Sequence, residues 1–326
     1  MAGGRLALVV LAALLLAAAS TEGGYVLSHD YSGPNFFDHF DFWSYDDPTH
    51  GYVDYVTQQQ AQEWGLIKAS SAGVYIGADH SSISSGRGRA AVRISSKETF
   101  NGGLFLNDLS HMPTGCGTWP AYWLCGPNWP QGGEIDILEG VNMQTIDKST
   151  LHTSQGCDMS SVPTSSFTGH WDNYNGQTLS NCYVDAIGTL NLGCGVIANE
   201  SNYGTALNQR GGGIYATEWN SNGIKLWFFW RNSIPRDIQI GQPNPSSWGK
   251  PYANFQFGSN CPSSHFYNHQ IIINLTFCGT WAGDSWVWKN TGCGQYASCQ
   301  NFVQHNPQAF ADAYWQINSL KVYQWQ

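Results

Sequence analysis

Charge is scarce in this 326-residue chain: only 11% of its residues are Asp, Glu, Lys or Arg. Positive charge is scarcest, with 14 Lys and Arg against 23 Asp and Glu, a formal net charge of −9. A chain so poor in cations presents no basic stripe, which argues against nucleic acid or an anionic membrane surface as a partner. Past residue 20 no apolar run approaches the length that spans a bilayer. Linker composition is missing as well: there is no Pro/Ser/Thr-rich stretch, no charge run and no internal repeat. No Gly-x-Ser-x-Gly elbow marks a serine hydrolase, and no P-loop or dinucleotide fingerprint is present. Gly211-Gly212-Gly213 precedes a strand pattern instead of a helix, which rules it out as a phosphate cradle. The nine cysteines match no zinc ligand spacing, and His50, His80, His111 and His170 are not paired at metal-ligand intervals. Helical periodicity is almost absent, the exception lying near Asn306 to Ala313.

What is present points to strands. Gly is frequent, and Trp, Tyr and Phe make up 14% of the chain. Short runs rich in β-branched and aromatic residues recur at Gly51–Thr57, Ala90–Ser95, Leu104–Asp108, Thr118–Cys125, Glu134–Glu139, Gly213–Glu218, Ile224–Arg231, His269–Leu275 and Tyr314–Gln324. Many short strands with Gly-rich turns indicate an all-β sandwich or barrel. Residues 1–20 have a weak positive start at Arg5, an apolar stretch from Leu6 to Ala19 and small residues at Ala18-Ala19-Ser20, the pattern of a secretory signal peptide. The expectation is a signal peptide over 1–20 and one domain over 21–326, secreted into the extracellular space and acting as a monomer. Nine cysteines agree with an oxidising route, with Cys293 and Cys299 near enough in sequence to close a small loop. An odd count leaves a thiol over, and Cys125, inside the Trp-rich strand, is the candidate. Asn199-Glu200-Ser201 and Asn274-Leu275-Thr276 are glycosylation triplets, which also arise by chance.

The chemistry concentrates in Glu134-Ile135-Asp136-Ile137-Leu138-Glu139. Three carboxylates lie within six residues whose remaining members favour a buried strand. Burying a carboxylate is costly unless it has a partner or a task. Strand alternation puts Glu134 and Asp136 on one face and turns Glu139 away. One extra residue, a β-bulge at Ile137-Leu138, returns Glu139 to that face, and bulges are common beside active sites. The two glutamates are then separated along the backbone by roughly 13 Å, at ~3.3 Å per residue, before their side chains lean inward. Paired carboxyls ~5–5.5 Å apart define a retaining glycosidase and ~6.5–9.5 Å an inverting one. This layout permits the shorter distance.

Aromatic residues crowd the same segment, GTWPAYWLCGPNWPQ running directly into the carboxylates. Flat rings pack against the C–H faces of pyranoses, and an indole N–H can bond a hydroxyl. Trp119, Trp123 and Trp219, the last at the end of Gly213–Trp219, are therefore candidate substrate-binding residues; the competing reading for each is core packing. His152, in Leu151-His152-Thr153, is either a satisfied strand histidine or a partner of the carboxylates. Asp46, Asp47 and His50, near Pro48, read as turn residues.

With these residues in place, the chain resembles glycoside hydrolase family 16 in its fungal laminarinase-like branch. Glu-Ile-Asp-Ile-Leu-Glu matches that family's bulged Glu-x-Asp-x-x-Glu signature. FDFWSYDDPTHGYVDYV, SHMPTGCGTWPAYWLCGPNWPQGGEIDILEGVN, LHTSQGC, GGGIYATEWNSNGIKLWFFWRNSIPRDI and IIINLTFCGTWAG extend the likeness over nearly the whole mature chain. The resemblance implies a β-jelly roll of two antiparallel sheets with a concave sugar cleft, and an endo-acting β-1,3 or mixed β-1,3/1,4-glucanase. It implies Glu134 as nucleophile and Glu139 as general acid and base, with Asp136 between them. It also supports sugar contact near Trp119, Trp123 and Trp219 and places His152 in the cleft. This chemistry calls for no cofactor and no metal. The rival function is a secreted β-glucan-binding lectin on the same fold, which needs the tryptophans but not the acid–nucleophile pair.

Overall fold

The computed structural model describes residues 23–326, so the expected signal peptide over 1–20 lies outside the described residues. Two antiparallel sheets of eight strands each face one another. The first runs His170–Trp171, Cys194–Ile197, Lys148–His152, Glu134–Glu139, Thr118–Cys125, Gln270–Phe277, Arg93–Ser96 and Phe40–Phe42. The second runs Ala253–Gln256, Gly223–Trp230, Gly213–Asn220, Gly103–His111, Tyr314–Trp325, Gly73–Gly77 and Ile67–Ser70, with Tyr25–Asp30 also beside Tyr314–Trp325. This is the expected all-β jelly-roll sandwich.

Alternation along each strand decides which side chains enter the space between the sheets. From the first sheet, Ile94, Tyr122, Leu124, Ile135, Leu138, Leu151, Ile271 and Ile273 point inward and are buried. They meet Phe105, Leu109, Tyr215, Trp219, Ile224, Leu226, Ile317 and Val322 of the second. Each fully buried aliphatic or aromatic side chain contributes about 1.5–3 kcal/mol of transfer free energy, so this interlayer core dominates stability. The outer face of the second sheet has its own apolar cluster of Leu104, Leu106, Ile214, Ala216 and Trp227, with Ile238 and Trp248 packed against it.

Four disulfides join Cys116 to Cys293, Cys157 to Cys261, Cys182 to Cys194 and Cys278 to Cys299. The expected small loop between Cys293 and Cys299 is not formed. Residues 279–310 fold as a helical cap over one end of the sandwich, around Trp288, Phe302 and Phe310. That path carries each cysteine to a different strand end. Cys125 is the free thiol. The helical periodicity also shifts: an α-helix occupies Cys299–His305, and Pro307–Phe310 is a single 3-10 turn. Ser298 caps the helix by accepting from the Asn301 N–H at 3.3 Å, and Pro307, lacking an N–H, prevents its continuation.

Candidate active site

The catalytic-strand candidate, Glu134–Glu139, is the fourth of the eight strands in its sheet, flanked on both sides. It begins directly after Gly133, whose φ of +77° and whose absent Cβ, which would lie 2.4 Å from the His265 carbonyl oxygen, admit only glycine. Pairing with Thr118–Cys125 sets Glu134 opposite Cys125 and Asp136 opposite Trp123, then slips between Asp136 and Leu138, so that Glu139 falls opposite Ala121. That slip is the expected bulge. Ile135, Ile137 and Leu138 are fully buried in the core, while Glu134 and Glu139 retain partial exposure on the other face. Asp136, only 2% exposed, sits between them.

Each carboxylate has its own partner. Trp119 donates its indole N–H to Glu139 Oε1 at 2.8 Å. Trp129 donates its own to Glu134 Oε2. His152, opposite Glu134 on the neighbouring strand, places Nε2 3.3 Å from Asp136 Oδ2, an ion-pair distance without hydrogen-bond alignment. The other ring nitrogen of His152 lies 3.0 Å from Asn191 Oδ1. Burial, then the charge of Asp136, pushes Glu134 up to about 8, opposed by His152 and by the Trp129 hydrogen bond. Burial, then the charge of Glu139, holds Asp136 well above the usual carboxylate range. Burial and mutual repulsion thus disfavour the ionised forms of Glu134 and Asp136.

Around the carboxylates the same sheet face presents further rings. Trp123 donates to Asn274 Oδ1 at 2.7 Å, and the Arg93 guanidinium lies 5.1 Å from its ring and 5.0 Å from that of Trp43. Asn274 is 6% exposed and also donates to the Tyr55 hydroxyl at 3.2 Å, so its glycosylation triplet is committed to the sheet. Asn199 is exposed. Trp119 meets Trp281 edge to face at 5.5 Å, and Lys148 Nζ lies 4.7 Å from the Trp281 ring. At the Glu134 end a cavity of 510 Å³ is lined by Trp129, Gln131, Tyr183, Asp185, Thr189 and Asn191.

Trp219 is the correction. It lies in the second sheet, opposite Gly103 and Ile224, is 3% exposed, and packs in the core 4.8 Å from the His269 ring. Tyr215, Thr217 and Trp219 form the inward face of that strand, so its ring cannot reach the carboxylate face. Asp47, read as a turn residue, is buried; its Oδ2 accepts from Thr49, from the Gly51 N–H and from Thr276 at 2.6, 3.1 and 2.7 Å. Sequence reasoning did not single out Asn191, Trp281 or Arg93. Only Trp281 had a signal, as an aromatic residue in the IIINLTFCGTWAG segment.

A family model for XgeA-like, catalytic GH16 domains matches residues 40–323. The chain belongs to glycoside hydrolase family 16. An endo-1,3(4)-β-glucanase of Arthroderma benhamiae is 43% identical over 320 residues, spanning 95% of this family 16 chain and 68% of the relative. Laminarinase 16A of Phanerochaete chrysosporium, solved with 6-O-glucosyl-laminaritriose in both donor and acceptor sites, is 44% identical. It superposes with a TM-score of 0.86 over 92% of this chain and 99% of that one. An elongating family 16 β-1,3-glucosyltransferase is 39% identical, with a TM-score of 0.84 over 92% of this chain and all of that one. This family 16 glycoside hydrolase thus has the expected fold and enzyme class.

Proposed function

We propose that this family 16 hydrolase is a secreted, monomeric endo-β-glucanase that cleaves β-1,3- or mixed β-1,3/1,4-glucan with retention of configuration. One observation carries the reading: the bulge brings Glu134, Asp136 and Glu139 to one sheet face, and separate indoles hold the two glutamates. The 43% identical glucanase and the glucan-bound laminarinase support the substrate class. Four disulfides support an oxidising, extracellular setting.

In this mechanism Glu134 attacks the anomeric carbon as the C–O bond to the leaving sugar breaks, and Glu139 delivers its proton to the departing oxygen. Water then displaces the glycosyl ester, Glu139 taking the water proton as base. Trp129 stabilises the ionised nucleophile by a charge-assisted bond. Asp136, buried between the two glutamates, couples to both: its charge opposes ionisation of Glu134, and the charge of Glu139 opposes its own. Trp119, Trp123 and Trp281 offer ring faces to the sugars.

Incubation with laminarin, lichenan and cellulose, with product sizing and early NMR of the new anomer, tests the proposal. Short laminarin or lichenan products released first as the β-anomer support it. An α-anomer first overturns retention. Binding without cleavage returns the lectin, and products longer than the substrate make transfer the dominant reaction.

A further inference from the structure

The bulge that makes this site leaves backbone groups without ladder partners. Glu134–Glu139 pairs with Lys148–His152 only as far as Asp136 opposite Thr150. Beyond that point, side chains replace the ladder. Ser149 donates its hydroxyl to the Ile137 carbonyl at 2.9 Å, and the Tyr252 hydroxyl lies 3.2 Å from the same oxygen. The Glu139 N–H donates to Asp147 Oδ1 at 3.0 Å. Asp147 Oδ2 accepts from Tyr252 at 3.1 Å and lies 3.4 Å from the Ser149 hydroxyl oxygen, and the two hydroxyls are 2.7 Å apart. Asp147 and Ser149 are fully buried, Tyr252 is 7% exposed and belongs to the interlayer core, and Ser149 points to the opposite face from Thr150 and His152. Tyr252 comes from the opposite layer, its N–H bonded to the Leu226 carbonyl at 2.8 Å.

We propose that Asp147, Ser149 and Tyr252 are positioning residues that clamp the bulge and so fix the carboxyl of Glu139 relative to Glu134. The inference rests on the reading of Glu139 as general acid and base. A bulge has no ladder to hold its two backbone groups, and its twist decides where the following side chain points. Here one buried carboxylate grips the Glu139 N–H, one hydroxyl grips the Ile137 carbonyl, and a tyrosine braces both from the second sheet. The remaining hydrogen-bonding capacity closes within the trio, with Ser149 donating to Ile137 and Tyr252 to Asp147, so no member needs a ligand to be satisfied.

The test compares kcat/KM on laminarin with kcat/KM on an aryl β-laminaribioside whose phenol is acidic enough to depart unprotonated. A misplaced acid harms only the first substrate. A displacement of about 1 Å costs on the order of 100-fold in rate. Asp147→Ala is therefore expected to lose about 10–100-fold on laminarin and under about threefold on the aryl substrate. Asp147→Asn, which keeps an acceptor for the Glu139 N–H, should recover most of that loss. Tyr252→Phe should show the same substrate asymmetry at smaller size, and stands in if Asp147→Ala fails to fold. Equal losses on both substrates, or unchanged kinetics in the folded variants, overturn the clamp. Glu139→Ala assayed alongside separates the two ideas. If it shows the asymmetry and the clamp variants do not, only the clamp fails; if it shows none, the acid–base reading falls and takes the clamp with it.

Discussion

The indole of Trp119 is bonded to Glu139 Oε1 at 2.8 Å while its ring meets Trp281 edge to face at 5.5 Å, so one residue contacts the second glutamate through its N–H and a neighbouring indole through its ring. Trp119→Phe separates these roles by keeping most of the ring and deleting the donor. A hydrogen bond to a charged group is worth about 1.5–3 kcal/mol, so kcat on laminarin should fall by about 10–100-fold while KM changes little. A raised KM with unchanged kcat would instead make Trp119 a sugar platform with no hold on the carboxylate.

Burial and Asp136 raise Glu134 from its ordinary 4.5 to about 8, and the shift has a sign for stability. Below the ordinary value the group is protonated in both folded and unfolded chains and contributes nothing. Between 4.5 and 8 the folded chain keeps a proton that the unfolded chain has released, so stability falls as pH rises through this window. Glu134→Gln cannot ionise and keeps an acceptor for Trp129. Calorimetry should find the variant inactive, equal in Tm to the wild type near pH 4, and several degrees more stable at pH 8. Equal Tm at every pH would show that the site does not strain the ionised nucleophile.

Trp219→Ala follows from the corrected placement. Removing a core tryptophan costs about 3–5 kcal/mol, so the transition should drop by many degrees while kcat and KM per folded molecule stay unchanged. A selective rise in KM at undiminished stability would return Trp219 to the cleft.

Trp219 also shows where sequence reading reaches its limit. Strand period and residue type reveal that Glu134, Asp136 and, through a bulge, Glu139 share a face, because that is a relation along one strand. They cannot reveal which sheet a strand joins, and in Gly213–Asn220 an inward tryptophan reads like a cleft-facing one. The same limit hid Asn191, which reaches His152 from a loop with φ of +49° inside the Cys182–Cys194 ring. It hid the cysteine pairing too. Cys293 and Cys299 are six positions apart, yet their partners are Cys116 and Cys278, because the helical cap turns the two thiols toward different strands. The sandwich, the Trp-rich strand and the catalytic strand were legible because each depends on local alternation. The partners of the carboxylates depend on three-dimensional closure.

The final prediction separates the two glutamates, which identical side-chain chemistry leaves interchangeable in principle. An enzyme without its general acid suffers most when the leaving group is poor, since a good one departs unprotonated. Glu139→Ala should cleave an activated aryl β-laminaribioside in its first step yet fail on laminarin. Its glycosyl-enzyme then accumulates because water has lost its base. Azide needs no deprotonation, so it should attack that intermediate from the face the aryl group left, restore turnover and release a β-glycosyl azide. In Glu134→Ala the nucleophile is gone and its place beneath the anomeric carbon is empty. Azide entering there displaces the leaving group in one step, with inversion, and should give an α-glycosyl azide. NMR of the two products decides the assignment. The opposite pair of anomers would make Glu139 the nucleophile and Glu134 the acid and base, with Trp129 then holding the proton donor and Trp119 the attacking carboxylate.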